Sequence, residues 1–350
     1  MASFAIWMKQ KNEGEGDRCG IKVHFNCWYA YEAKKNKGMA QPILDIGIML
    51  EDASIIEHLY VYVPFPLSTN EISDLGIVLN NNVTLNAVFN DNYRIINSSA
   101  GKAFLVSDED LSEKDRNKCD CFIVYELDFE NGKKDASLET AGKGKNKGTT
   151  ICINVADLVD LKDEMKNQKC NRSYFRFRLS TPYLDGSMVR QRGHDPLDML
   201  FHDVLSVTKV MECRLNHSRS LSSSLREEIR SCGGFPDILR LDFFLITDET
   251  VDLLNDNAAT VRRLERDVWS KYLPMGNECG GKDQFSNAIA YHWKKVAEQS
   301  FKDWDLYAKI SFLYRNNKII FIYVVMLLVV CIVGNVLYSL LGLACSLFSS

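Results

Sequence analysis

A chain of 350 residues, 46% hydrophobic and 25% charged, has ordinary globular composition and is long enough to bury a sizeable core, which excludes wholesale disorder. Its formal net charge of −4 is too small to carry the whole molecule to nucleic acid or an acidic surface, so any anion-binding role must come from a local patch. Eleven cysteines, an odd number without a Cys-x-x-Cys pair, argue against a complete disulfide framework, and the apolar run that stops at Lys9 is too short for a signal-peptide core. The expectation is a reduced, cytosolic chain whose cysteines act as small core hydrophobes.

From Phe4 to about Ser180 the pattern is that of strands. Ile21, Val23, Phe25, Cys27 and Tyr29 alternate with Lys22, His24, Asn26 and Trp28, a period of two. Residues 42–50 and 55–63 are β-branched and aromatic runs, the second closed by Pro64 and Pro66. Ser68 and Glu71 have capping-box spacing and predict a helix over 69–79. Residues 83–89 and 93–97 flank Asn90-Asp91-Asn92 as a predicted hairpin, and 103–106, 121–129 and 149–155 continue the series. Residues 131–148 are rich in Gly and Lys. A phosphate-binding Walker loop needs Lys directly before the Ser/Thr, and Gly148 stands there before Thr149, so this stretch reads as a solvated hairpin loop.

Residues 172–180 carry the main ligand-site candidate. With Phe175, Phe177 and Leu179 facing a core, Arg172, Tyr174, Arg176 and Arg178 form a row on the other face, and Arg190 and Arg192 follow after a turn. Such a row needs interleaved carboxylates or an anionic ligand. The plainer reading is an ion-paired outer face; the functional one is a phosphate- or nucleotide-binding surface. His194-Asp195 and His202-Asp203 are two His-Asp pairs with ligand chemistry for a divalent metal, the weak candidates for a metal-dependent phosphohydrolase. They lie in a connection rather than a helical frame, so turn and cap roles explain them more simply. No cofactor and no resident metal are predicted.

Residues 204–215 and 238–246 read as strands, separated by a helix opened by a Ser224/Glu227 capping box and closed by Gly233 and Gly234. After Thr247 the spacing changes. Val261, Leu264, Val268 and Tyr272 predict an amphipathic helix, and Trp293, Ala297, Phe301, Trp304 and Ala308 predict a second one from about 285.

Residues 319–348 contain no formal charge across thirty positions. A helix of that length spans about 45 Å against a hydrocarbon core of ~30 Å, which fits one tilted crossing. Lys302, Lys309, Arg315 and Lys318 precede it, so the positive-inside rule puts the N-terminal part in the cytoplasm. Cys331, Asn335, Ser339, Gly342 and Ser346 fall within roughly an 80° arc at helical pitch. That face suits self-association or, in an active assembly, the lining of a polar path, while bonding of Ser and Asn to their own backbone or a place near the far headgroups is the passive alternative.

The expected fold is α+β and mainly β, an antiparallel sandwich or barrel-like cytosolic domain over 1–247, with a helical juxtamembrane segment over 248–317 and one transmembrane helix over 318–348. The expected function is a tail-anchored protein whose β-rich domain regulates a self-associating effector helix. Its partners are then the lipid bilayer, further copies of itself, and an anionic ligand or protein partner of the cytosolic domain. A tethered scaffold with a passive anchor, and a membrane-anchored phosphohydrolase, are the alternatives.

Overall fold

The computed structural model describes residues 3–11, 19–29, 41–98, 102–108, 121–129, 135–141, 148–160, 170–191, 206–254, 260–269, 272, 287–313 and 317–348. Strands dominate, in three sheets. The first contains Ala5–Gln10 (β1), Ile56–Val63 (β4), Ala136–Ala141 (β9) and Gly148–Asn154 (β10), in the order β1-β4-β10-β9. The main sheet has ten strands. Across it run Thr260–Arg263 (β16), Ala288–Phe301 (β17), Asp237–Asp248 (β14), Gly20–Trp28 (β2), Ile43–Leu50 (β3), Ser173–Ser180 (β11), Phe122–Tyr125 (β8), Ala103–Asp108 (β7) and Tyr93–Ser98 (β6), with Ile72–Asp74 (β5) also paired to β11. The third sheet joins Val189–Gln191 (β12), Ser206–Leu215 (β13), Trp304–Leu313 (β18) and Val251–Leu253 (β15). Helices are Asn82–Phe89 (α1), Val155–Asp160 (α2), Tyr183–Met188 (α3), Ser223–Ser231 (α4), Arg266–Trp269 (α5) and Asn317–Phe348 (α6).

The mainly β class holds, with two refinements. None of the sheets closes into a barrel, and the main sheet is mixed, because β14 runs parallel to β2 and β11 parallel to β8. One face of the main sheet packs on both smaller sheets. The apolar alternates of β2, with Phe175, Phe177, Leu241 and Phe243, meet Ile6, Leu59 and Ile151 from the first sheet and Met211 and Ile310 from the third. Each fully buried side chain of this kind contributes about 1.5–3 kcal/mol. Phe4 joins the two smaller sheets: its N–H donates to the Arg214 carbonyl at 2.9 Å and its carbonyl accepts from Asn216 N–H at 2.8 Å. Asn216 adopts φ 60°, and its side-chain oxygen accepts from Ile6 N–H at 2.8 Å. Cys19, Cys27, Cys170 and Cys213 are buried, and burial pushes the Cys19 thiol up to about 11 and that of Cys27 up to about 12, as suits small core hydrophobes; Cys121, Cys152 and Cys232 are half-buried and Cys331 is exposed.

The opposite face of the main sheet is also covered. Trp28, Ile43, Met49, Tyr174 and Ile246 pack beneath Leu85 and Val88 of α1 and beneath Leu264, Trp269 and Tyr272. The predicted hairpin arm at 83–89 is therefore helix α1. Asn81 caps it, its side-chain oxygen accepting from Val83 and Thr84 N–H at 3.0 and 3.4 Å, and Asn90 ends it at φ 53°.

Other elements also differ from expectation. The Ser68/Glu71 capping box forms, but it opens only a short 3-10 turn, after which β5 is captured by the edge of β11 and Leu75 N–H donates to the Arg176 carbonyl at 2.9 Å. Within 131–148, residues 136–141 are a strand hydrogen-bonded to β10 rather than loop. α4 begins two residues earlier than expected, at the Ser222 cap, whose hydroxyl accepts from Leu225 N–H at 3.2 Å; Gly233 and Gly234, both at φ 91°, end it as predicted. The helices expected around 261–272 and 285–308 are largely strands: β16, β17 and β18, with only the short α5 helical. They are drawn into the sheets by pairing with β14 and β13.

α6 contains a 22-residue stretch, Phe321–Gly342, of mean hydropathy 2.6, none of it buried against the domain. It is long and apolar enough to cross a membrane.

Candidate functional site

The covered second face of the main sheet carries polar residues in register. Lys294 on β17 lies opposite Asp242 on β14, which pairs with His24 on β2, then Gly47 on β3, then Arg176 on β11. Two residues along each strand, His292 lies opposite Phe244, then Asn26, Asp45 and Arg178. Adjacent residues of one strand point to opposite faces, but β-pleat rows two apart share a face, so these side chains meet across five strands. Gly47 makes room for them: a Cβ there would overlap the Tyr174 hydroxyl and come within 2.9 Å of Arg176 Nη1.

The inner half is a closed network. Arg178 binds Asp45 in a fork, Nε to Oδ1 at 2.6 Å and Nη2 to Oδ2 at 3.0 Å. Trp28 Nε1 and the Tyr272 hydroxyl also donate to Oδ2, at 2.7 and 2.8 Å. Burial would raise the Asp45 carboxyl, yet the Arg178 charge and these donors hold it below the usual carboxylate range. Arg176, fully buried, donates from Nε to the Tyr272 hydroxyl at 2.6 Å and from Nη1 to the Tyr174 hydroxyl at 2.9 Å. Two guanidiniums thus share one buried carboxylate, and the network is positive overall.

The outer half opens to solvent. The Tyr174 hydroxyl sits 3.3 Å from His24 Nδ1, and His24 Nε2 lies 3.7 Å from Asp242 Oδ2. Asp242 accepts from Arg240 Nε at 2.5 Å and from His292 Nε2 at 2.8 Å. Burial would raise its carboxyl, but the His292 and Arg240 hydrogen bonds, with the surrounding positive charge, hold it well below the ordinary range. Burial, opposed by Asp242, drops His24 to about 3, so it is a neutral imidazole at pH 7. The His292 ring stacks on Phe244 at 4.1 Å, and the Arg262 guanidinium lies 5.8 Å from that ring centroid while bonding the Asn90 side chain. On its other side His292 Nδ1 faces the Thr260 hydroxyl at 3.4 Å, giving a carboxylate–imidazole–hydroxyl order along the cleft.

These outer residues line a cavity of about 330 Å³. Arg240, Arg262 and Lys294 face it, against the single carboxylate Asp242, which Arg240 and His292 already occupy. Among the described residues no carboxylate pairs with Arg262 or Lys294. Counted over the described residues, the cavity therefore has two positive charges in excess, the complement of a phosphate-type dianion. A second cavity of about 350 Å³ adjoins it, sharing Asn90 and Arg262.

The arginine row keeps its predicted face but not its predicted exposure. Arg176 and Arg178 are buried and bonded inside the network, Tyr174 beside them, because α1 and Tyr272 cover what reads in sequence as an outer face. Arg172 is tied to Glu51, Nε to Oε2 at 2.7 Å. Arg190 lies on the edge strand β12, away from the row. Arg192, His194, Asp195, His202 and Asp203 lie outside the described residues. Among the described residues no group of three or more His, Cys, Asp or Glu is placed to hold a metal ion. On α6, Cys331, Asn335 and Ser339 are exposed, and the Ser339 hydroxyl donates to the Asn335 carbonyl at 3.0 Å. Gly342 has open space about it, and the Ser346 side chain lies outside the described residues.

His24, Asp242, His292, Arg240, Arg262 and Lys294 were not singled out by sequence pattern. The available signal was a lone carboxylate inside an otherwise apolar strand, which holds for Asp45 in β3 but not for Asp242, whose strand also carries Asp237, Arg240 and Asp248. Compared with known proteins, the chain matches no family model and no curated protein sequence.

Proposed function

We propose that this protein is a membrane-anchored sensor: its β-rich domain binds a small anion in the cleft formed by Arg240, Arg262, His292 and Lys294, and ligand occupancy controls self-association of α6. The observation that carries the reading is the charge of the cleft, three cations facing one already occupied carboxylate. Connectivity supports the coupling. β17 contributes His292 and Lys294, β18 follows after residues 302–303, and α6 begins four residues after β18 ends. Lys302, Lys309, Arg315 and Lys318 favour a cytoplasmic domain.

Cross-linking of the full chain in detergent, with and without inorganic phosphate, tests this reading. Phosphate should increase the oligomer fraction, and Lys294→Ala should abolish the increase; an oligomer fraction indifferent to phosphate rejects the coupling. The bond from Ser339 to its own helix backbone favours a second reading, a passive anchor that tethers the binding domain. A poly-Leu/Ala helix in place of 319–348 would leave function intact under that reading and abolish it under the first.

A further inference from the structure

The cleft does not stand alone. Its neighbour, on the far side of Asn90 and Arg262, has an apolar wall from Val83, Ala87, Leu264, Val268 and Trp269. Polar groups rim that wall. Asn86 Oδ1 already accepts from Tyr93 N–H at 2.8 Å, which leaves its amide NH2 to donate, and the Glu265 carboxylate is exposed and ready to accept. A doubly charged head therefore fits one cavity, and a flat body with a donor–acceptor edge fits the other. Arg262 stands between them, fixed by Asn90 and Phe244. Each cavity is near the lower end of the roughly 300–1,000 Å³ range of small-molecule sites, and together they remain within it.

We infer that the ligand is a nucleotide, its phosphate held by Arg240, Arg262 and Lys294 and its base lodged against Leu264 and Val268 within reach of Asn86 and Glu265. This rests on the anion-cleft reading and adds the base cavity to it. A lipid phosphate headgroup would satisfy the same cations, but its acyl part would not use the Asn86 and Glu265 rim, where burying it would leave polar groups unpaired.

Calorimetric titration of the full chain in detergent distinguishes these outcomes. The probes are inorganic phosphate, ribose 5-phosphate, the ribonucleoside 5′-monophosphates of adenine, guanine, cytosine and uracil, and vesicles containing a phosphatidylinositol phosphate. At least one nucleotide is expected to bind about tenfold or more tightly than ribose 5-phosphate, since a rim that hydrogen-bonds the base rejects a ligand lacking it. Ala87→Trp, which fills the base cavity, should bring that nucleotide down to the ribose 5-phosphate level without weakening inorganic phosphate. Glu265→Gln, at an exposed position, should reduce discrimination among the bases without perturbing the fold. Lys294→Ala should weaken every phosphate probe. Equal affinity for nucleotides and ribose 5-phosphate overturns the base cavity while leaving the anion cleft standing. No binding of any phosphate probe overturns both, and binding confined to the vesicles assigns the site to lipid and overturns the nucleotide.

Discussion

Along β11, Phe175, Phe177 and Leu179 turn into the larger apolar core, while Tyr174, Arg176 and Arg178 turn the other way into the charged network around Asp45. Both faces are buried and both belong to the same strands. The first is held by area removed from water, which is non-directional and tolerates exchange among apolar residues of similar volume. The second is held by donors matched to acceptors, and each member depends on the others. The difference explains why the cleft lies where it does. The cleft opens from the face that already holds charge, and Arg240 is tied to the network through Asp242, His24 and Tyr174.

The contrast can be broken most severely at Asp45. Asp45→Ala leaves Arg176 and Arg178 without a carboxylate and should cost about 3–5 kcal/mol in chemical denaturation, while the double variant Asp45→Leu/Arg178→Met should recover much of that loss. A double variant no better than the single one would show that the pair itself stabilises the fold. Gly47→Ala comes next. Its Cβ strikes Tyr174 and Arg176, so it should destabilise by up to about 3 kcal/mol, with the network rather than the apolar core disturbed, as tyrosine and tryptophan fluorescence would register.

Protonation sharpens the comparison, because the charged face carries a buried histidine, His24. His24 is held near 3 in the folded domain, against about 6.5 unfolded, so the unfolded state binds the extra proton between those values. Stability from this group is complete above about pH 6.5 and falls as pH drops toward 3, by about 2 kcal/mol between pH 7.5 and pH 5. His24→Gln should remove that part of the pH slope when unfolding is followed across the same range. The smallest effect on stability is expected at the exposed mouth: Lys294→Ala should stay within about 0.5 kcal/mol of the parent while losing phosphate binding.

Much of the sheet was legible because the alternation in β2 and β11, and the β-branched and apolar runs of β3, β4 and β14, are short-ranged signals. The errors share a physical cause. Trp293, Ala297 and Phe301 recur at a spacing of four, which places residues on one side of a helix but, being even, also on one face of a strand. A spacing of two separates them, since it stays on one face of a strand but crosses to the other side of a helix, and β17 offers that signal in Tyr291 and Trp293 against His292 and Lys294. Residues 83–89 failed in the opposite sense. Their place before the polar turn Asn90-Asp91-Asn92 suggested a hairpin arm, whereas Asn81 capping and the burial of Leu85 with Val88, three apart, made a helix. The cleft was illegible for another reason. His24, Asp242 and His292 come from distant parts of the chain and meet only through pairing that no local pattern encodes.

That pairing also sets the order in which the molecule can form. The centre of the main sheet joins β2, near the beginning of the chain, to β14 and then β17, both made much later. During synthesis the early strands therefore wait, with apolar faces and an open hydrogen-bonding edge, until most of the domain has been translated, and such non-local closure is intrinsically slow. The last strands arrive just before the apolar helix emerges. Completion of the sheet and emergence of the apolar α6 thus fall close together in time, and a chain stalled before β17 would expose both an unfinished sheet and a route to aggregation.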